Sequence, residues 1–290
     1  MATQPKEKYK TITLDEKSYP ALLREIPDPP ETLYMLGNFH DWHKPAIAIV
    51  GTRKATSYGL RAARALGCEL AAAGITVVSG LALGIDAEAH RGALEANGNT
   101  VAVLGSGINM IYPATNRPLA EKIIEQGGAV ISEFSPDLPP EKWTFPQRNR
   151  IIAGLSNVTL VIEAPEKSGA LITAYLALEY NREVAALPGE ITSLNSQGTN
   201  KLIKLGAAII RSADDVLELL GLNAPNPKTL FDKLDKIENV ILQCLNKPQN
   251  KDEMLDLTQL PADILNQKLS SLELKGAIKN NGGLYEISNS

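Results

Sequence analysis

Short apolar runs alternate along the chain with longer segments whose apolar residues recur at helical spacing. The runs at 46–50, 75–78, 101–104, 129–132, 158–162, 184–187 and 207–210 are rich in Val, Ile, Leu and Ala and carry no charge. Runs of this length without apolar and polar alternation predict strands buried on both faces. Leu60, Ala63, Leu66 and Leu70 lie in helical phase after the first run. A helix is expected around 116–126 after the third, and Leu171, Tyr175 and Leu178 are in phase after the fifth. Strands alternating with helices predict an α/β fold built on an extended Rossmann-like, mostly parallel sheet.

The pattern changes at both ends. Residues 1–44 read as a helical and extended lead-in: a short helix after Tyr19-Pro20, a turn fixed by Pro27, Pro29 and Pro30, and an extended piece leading into the sheet. The Rossmann-like domain is then 45–221, and 222–236, with Pro225 and Pro227, reads as a linker. Beyond it, helices at 237–245, 251–258 and 260–275 precede a hairpin over 276–287 with a Gly-containing turn, which predicts a C-terminal winged-helix domain at 237–290. Its third helix sets only Lys268 and Lys275 against Asp263 and Glu273, too little positive charge for strong duplex binding. A protein-contact or auxiliary role is expected of it.

Small residues follow the predicted strands: Gly51-Thr52-Arg53, with Ser57 as the expected helix cap, then Ser79-Gly80, then Gly105-Ser106-Gly107. On one edge of a parallel sheet such turns offer backbone N–H groups to phosphates. None of them is GxGxxG, so NAD and FAD are disfavoured and no cofactor is expected.

The richest stretch is 142–174. Lys142, Trp143 and Phe145 stand ahead of a helix predicted to open at Arg148, Asn149 and Arg150. Cations at a helix start meet anions, and aromatics beside cations stack bases while the cations hold phosphates. After the strand at 158–162, Lys167, Ser168 and the N–H groups near Gly169 lie where an open α/β sheet places a phosphate. The whole stretch reads as a groove for a phosphate-rich strand.

Composition narrows the picture. A chain of 290 residues, 44% hydrophobic, buries a full core in one large domain plus a small one. A formal charge of -4 and a pI near 5.6 exclude a generally basic nucleic-acid coat, so a nucleic-acid site is a local patch. Cys68 and Cys244, both in apolar helical patterns, fit a reducing cytoplasm and give no metal framework. No signal region or membrane-spanning run is read, so a cytoplasmic protein is expected. Asp86 and His90, four apart, read as a structural pair rather than a metal site, and Glu133 and Glu163 as groups for general acid/base chemistry or, equally, as partners that hold Arg148 or Arg150 in place.

Five motifs carry a resemblance: Gly51-Thr-Arg53, the Ser79 to His90 stretch SGLALGIDAEAH, GSGINMIYP from Gly105, FPQRNRIIAG from Phe145 and KSGALIT from Lys167. In this order they resemble the DNA-processing protein A family, DprA, also called Smf, from Tyr19 to the end. The resemblance implies a bacterial protein that binds incoming single-stranded DNA during natural transformation, forms a homodimer and helps load the RecA recombinase. It implies that Arg53, Ser79-Gly80 and Gly105 to Gly107 line a basic pocket. Lys142 and Phe145 would contact backbone and base, with Arg148, Asn149 and Lys167 completing the pocket. Residues 1–44 are shorter than the helical domain many members carry. The alternative is an enzyme acting on a nucleotide, of the Lonely Guy phosphoribohydrolase type, which resembles this chain in architecture. Its PGGxGTxxE signature gives way to PEKSGALITA from Pro165, without the expected acidic residue, and the single-strand binder expects no turnover.

Overall fold

The computed structural model describes residues 9–222, 235–245, 247–274 and 277–287. The described residues up to Leu222 form one compact unit, and the described residues from 235 onward a second.

The first unit runs β1 (Lys10–Thr13), α1 (Ala21–Arg24), β2 (Thr32–Gly37), β3 (Ala46–Val50), α2 (Ser57–Ala72), β4 (Thr76–Ser79), α3 (Ile85–Glu95) and β5 (Thr100–Val103). It continues through α4 (Arg117–Glu125), β6 (Ala129–Ser132), α5 (Thr144–Gly154), β7 (Val158–Val161), α6 (Gly169–Glu179), β8 (Glu183–Ala186), α7 (Gln197–Lys204), β9 (Ala208–Ile209) and α8 (Ala213–Leu219). Nine strands form one sheet in the order β1-β2-β6-β5-β4-β3-β7-β8-β9. From β6 to β9 all neighbours are parallel, and β2 joins β6 and β1 antiparallel. The chain steps outward from β3 to β6, then returns to β3's other side with β7. That reversal makes β3 and β7 a topological switch point, where open α/β sheets leave a crevice beyond the strand ends.

β3 explains why the sheet is covered twice. Ala46, Ala48 and Val50 pack into a core with Ile151, Ile152, Leu171 and Ala174 of α5 and α6, whereas Ile47 and Ile49 face Leu66, Leu70, Ile85 and Val216 of α2, α3 and α8. Burying each Ile contributes roughly 1.5–3 kcal/mol. On the second face α2 and α3 meet along glycines. A Cβ at Gly92 would stand 2.0 Å from the Arg64 carbonyl, and one at Gly67 2.5 Å from that of Ala89. This close approach fixes the height of α3 and of the turn leading into it.

Several local expectations shift. Thr56, not Ser57, caps α2, its hydroxyl accepting from the Gly59 N–H at 3.2 Å. Helix α5 opens at Thr144 rather than at Arg148, because Pro146 falls in its first turn, where the missing N–H costs nothing. The strands expected at 75–78, 101–104 and 184–187 lie one residue away, and the run at 207–210 pairs only at Ala208–Ile209. Strand β1 escapes the pattern because only Ile12 of its four residues is buried. With Leu23, Leu33 and Met35 in the shared core, residues 9–44 are part of the same compact unit as the sheet.

His90 is not paired with Asp86. Asp86 turns to the Gly80 N–H, 3.1 Å away, while His90 lies fully buried with Nδ1 2.7 Å from Thr100 Oγ1. Thr100 donates its own hydrogen to the Val77 carbonyl, so His90 Nδ1 donates to Thr100. Burial, with Arg148 and Arg91 adding to it, pushes the His90 pKa from 6.5 down to about 3. The folded ring stays neutral while the unfolded one protonates, so stability present above pH 6.5 is lost as pH falls toward 3, by about 1.4 kcal/mol per unit. At pH 5 the expected deficit is about 2 kcal/mol relative to neutral pH. Urea unfolding of wild type and His90→Gln at both pH values checks this, since equal pH slopes would remove His90 as the cause.

The second unit contains α9 (Lys236–Cys244), α10 (Lys251–Thr258), α11 (Ala262–Leu274) and an antiparallel hairpin of β10 (Ile278–Asn281) and β11 (Leu284–Ile287). Capping boxes of Asp235 with Glu238 and Asn250 with Glu253 start α9 and α10. Gly282 and Gly283 turn the hairpin with positive φ, and Gln249 bridges to Tyr285 as a third, one-residue strand. Ile241, Met254, Leu265, Leu269, Leu272 and Tyr285 form its own core. Residues 223–234 of the expected linker, with Lys275 and Gly276, lie outside the described residues. Cys68 and Cys244 are half-buried free thiols. Among the described residues no helix is long and apolar enough to cross a membrane.

Candidate functional site

The β3 turn is tied to the β7 end by Glu163. Thr52 donates its N–H to the Glu163 carbonyl at 2.8 Å, and the buried carboxylate accepts from the Thr56 N–H at 2.8 Å and from its hydroxyl. Glu163 therefore holds the turn and the start of α2, and is not the arginine partner expected for it. Gly51 is required there, because a Cβ would stand 2.5 Å from the Ile85 side chain and 2.9 Å from the Glu163 carbonyl.

Above this switch point opens a cavity of about 390 Å³. It gathers Arg53, Phe145, Arg148, Asn149, Lys167, Ser168 and Gly169 from the expected set. The exposed Arg53 guanidinium lies over the Phe145 ring, 5.0 Å from its centroid, and the Tyr112 ring packs against Phe145 at 5.8 Å. At the β7 end, Ser168 caps α6 by accepting from the Ala170 N–H at 3.3 Å, and Asn149 donates to the Gly169 carbonyl at 3.3 Å. Cations, an aromatic face and the positive end of an eleven-residue helix thus converge on one cavity.

Arg148 forms the floor. It is 4% exposed, with Nη1 donating to the carbonyls of Gly80, at 2.8 Å, and Val103. Burial lowers its pKa to about 10, against the opposing pull of Asp86, so it remains a cation at neutral pH. Burial in turn raises the Asp86 carboxyl, and Arg148 works against that rise. Asp86 also lines the cavity.

Other expected residues serve from behind. A Cβ at Gly80 would stand 2.7 Å from the Arg148 guanidinium, and one at Gly105 2.7 Å from the Phe145 ring, so these glycines make room for the two side chains. Ser79 donates to the Ile49 carbonyl and Ser106 to that of Met110, each at 2.6 Å, while Gly107 packs against the backbone of Ser135 and Pro136. Arg150 does not reach the cavity. It pairs with Glu133 and donates to the Asp28 carbonyl at 2.6 Å, on the opposite side of α5. Lys142 is exposed just before α5 and does not line the cavity. Thr52, Asp86, Pro165 and Thr173 line it without having been expected to. Tyr112 was also missed, although Tyr112-Pro113 repeats the aromatic-proline pattern of Phe145-Pro146. Among the described residues no group of three or more His, Cys, Asp or Glu is placed to hold a metal ion.

The profile of the family described as DNA recombination-mediator protein A matches residues 10–221, the whole of the sheet and its helices. The chain belongs to this family. A curated relative, Protein Smf of Escherichia coli (strain K12), is 48% identical over 210 residues, covering 72% of this chain and 56% of the relative. The Synechocystis Protein Smf is matched over 54% of its length, so the chain spans little more than half of these two relatives. The X-ray structure of DNA processing protein A from Streptococcus pneumoniae superposes with a TM-score of 0.69 at 39% identity, covering 73% of this chain and 74% of that one. DNA processing protein A from Helicobacter pylori, solved to describe its single-stranded DNA binding mode, gives 0.66 at 33% identity over 73% of this chain and 95% of that one. The family thus spans the first unit and includes the cavity, while the second unit lies outside the matched residues.

Proposed function

We propose that this chain binds single-stranded DNA in the switch-point cavity and acts as a recombination mediator in the cytoplasm. It protects incoming strands during natural transformation and passes them to the RecA recombinase, without turning over a substrate. The observation that carries the reading is Arg53 lying over Phe145 in a cavity that Lys167 and the start of α6 also line, so that cations, an aromatic ring and a helix N-terminus share one cavity. Arg53, Lys142 and Lys167 neutralise successive phosphates, Phe145 stacks a base, and Arg148, Asn149, Ser168 and Gly169 form the inner wall. Ser79, Gly80, Gly105, Ser106, Gly107 and Arg150 hold those groups in position. A homodimer presents two such cavities, so avidity exceeds the affinity of either. The second unit, read as a winged helix, has a protein-contact role: Lys268 of α11 is held by Asp235, which leaves little charge for a duplex.

Anisotropy of a labelled oligo-dT across a salt series tests the reading. With three phosphate-neutralising cations the plot of log K against log salt is expected to fall with a slope near about -2, and oligo-dA to bind comparably. RecA filaments are expected to nucleate sooner on strands coated with a single-strand-binding protein when this chain is added. No oligo-dT binding at low salt would refute the reading.

A further inference from the structure

Resting on the single-strand reading, we propose that Trp143 is a second base-stacking platform, one strand farther along the sheet edge than Phe145. Trp143 is the most exposed aromatic among the described residues, at 55%. Its ring meets Phe134 nearly at right angles, 87° with centroids 5.7 Å apart. Whichever ring gives its edge in that contact, Phe134 leaves at least one indole face uncovered. The backbone beneath it is anchored, because the next residue, Thr144, is fully buried and its hydroxyl donates to the Gly105 carbonyl while accepting from the Glu141 N–H. The indole is therefore a positioned surface with the exposed Lys142 beside it, not a side chain at the tip of a loop.

The topology gives this surface its place. Phe134 follows β6, while the turn against Phe145 follows β5, and these two strands are neighbours about 4.8 Å apart. In sheet order, the carboxyl-end edge presents Lys167 after β7, Arg53 after β3, Phe145 against the turn after β5, and Trp143 against Phe134 after β6. A strand seated between Lys167 and Arg53, with a base on Phe145, meets Trp143 if it continues along that edge. Lys142 then takes the accompanying phosphate, which explains a cation that does not line the cavity. Exposed tryptophans also mark protein contacts, and the test separates the two.

The chain has two tryptophans, and Trp42 is half-buried against Phe39. Titration with unlabelled oligo-dT is expected to quench indole emission in wild type, in step with the anisotropy isotherm. No quenching is expected in Trp143→Phe, whose only indole is Trp42. Trp143→Ala is expected to raise the oligo-dT Kd by about fivefold or more, with Trp143→Phe recovering most of the loss. A thermal midpoint within a few degrees of wild type would show that this loss is not unfolding. If wild type binds the oligonucleotide with flat emission and Trp143→Ala binds as tightly, the platform is refuted and Trp143 becomes a protein-contact residue. No binding by wild type would refute the single-strand reading itself, and the platform with it.

Discussion

Replacing Arg53 and Lys167 together with alanine is expected to weaken oligo-dT binding about 10²- to 10⁴-fold. Each charge-assisted contact to a phosphate contributes about 1.5–3 kcal/mol, and the two side chains line the cavity from the ends of different strands, β3 and β7. Taken as two separate phosphate contacts, their losses sum to about 3–6 kcal/mol. Each cation removed also takes about 0.7 from the salt slope on a single strand, so the double variant is expected to lose about 1.4 of it. Both residues are exposed, which keeps the expected stability change within about 0.5 kcal/mol. Anisotropy at several salt concentrations, with a thermal melt of each protein, makes the comparison. A Kd within threefold of wild type with an unchanged slope would mean that phosphates do not lie between these two residues.

Much of the lining of this cavity is legible in the sequence. Apolar runs without alternation announced strands covered on both faces, and small residues after them announced an open sheet edge with a crevice. The cations Arg53 and Lys167 stood at the ends of two of those runs, and the reversal at β3 and β7 brings them together. Side-chain direction was harder to read. Arg148 and Arg150 were expected to meet an anion together, yet residues two apart on a helix point to different sides. The structure sends Arg148 to Gly80 and Val103 and Arg150 to Glu133 and Asp28. Helical spacing alone would have separated them once α5 was known to start at Thr144 instead of Arg148.

The glycines teach a related lesson. Gly80 and Gly105 were expected to offer backbone to a ligand, but each sits behind a larger side chain that does the lining. A small residue in a turn marks a close approach without saying what approaches. Thr56 took the cap expected of Ser57 for a similar reason, since it alone reaches both the Gly59 N–H and the Glu163 carboxylate. Such choices depend on partners more than a hundred positions away, beyond the reach of any local pattern.

Arg148 carries the other large expected effect. Substitution by methionine removes the cation that offsets the buried Asp86 carboxylate and leaves the Gly80 and Val103 carbonyls without their donor. Each buried carbonyl left without its donor costs about 1–3 kcal/mol and the buried Asp86 loses a nearby cation, so Arg148→Met is expected to lose about 3–5 kcal/mol on urea unfolding at neutral pH. Burial already raises the Asp86 carboxyl, and without Arg148 it rises further. For a carboxyl raised in the fold, stability is fully present below the unfolded value of 3.8 and is lost as pH climbs through the folded one. The Arg148→Met deficit is therefore expected to shrink in acid, opposite to the acid lability expected from His90. A deficit below about 1 kcal/mol, or one of equal size at acid and neutral pH, would show that the pair is not coupled. Replacing both partners, as Arg148→Met with Asp86→Leu, should recover most of the stability, since apolar substitutes for a buried pair are often neutral. The same double variant is expected to bind oligo-dT at least about tenfold more weakly, because losing the guanidinium donor to a phosphate outweighs the relief of losing the Asp86 carboxylate beside it. A protein that folds without this pair but no longer holds the strand would place the reason for burying Arg148 in the ligand rather than in the fold.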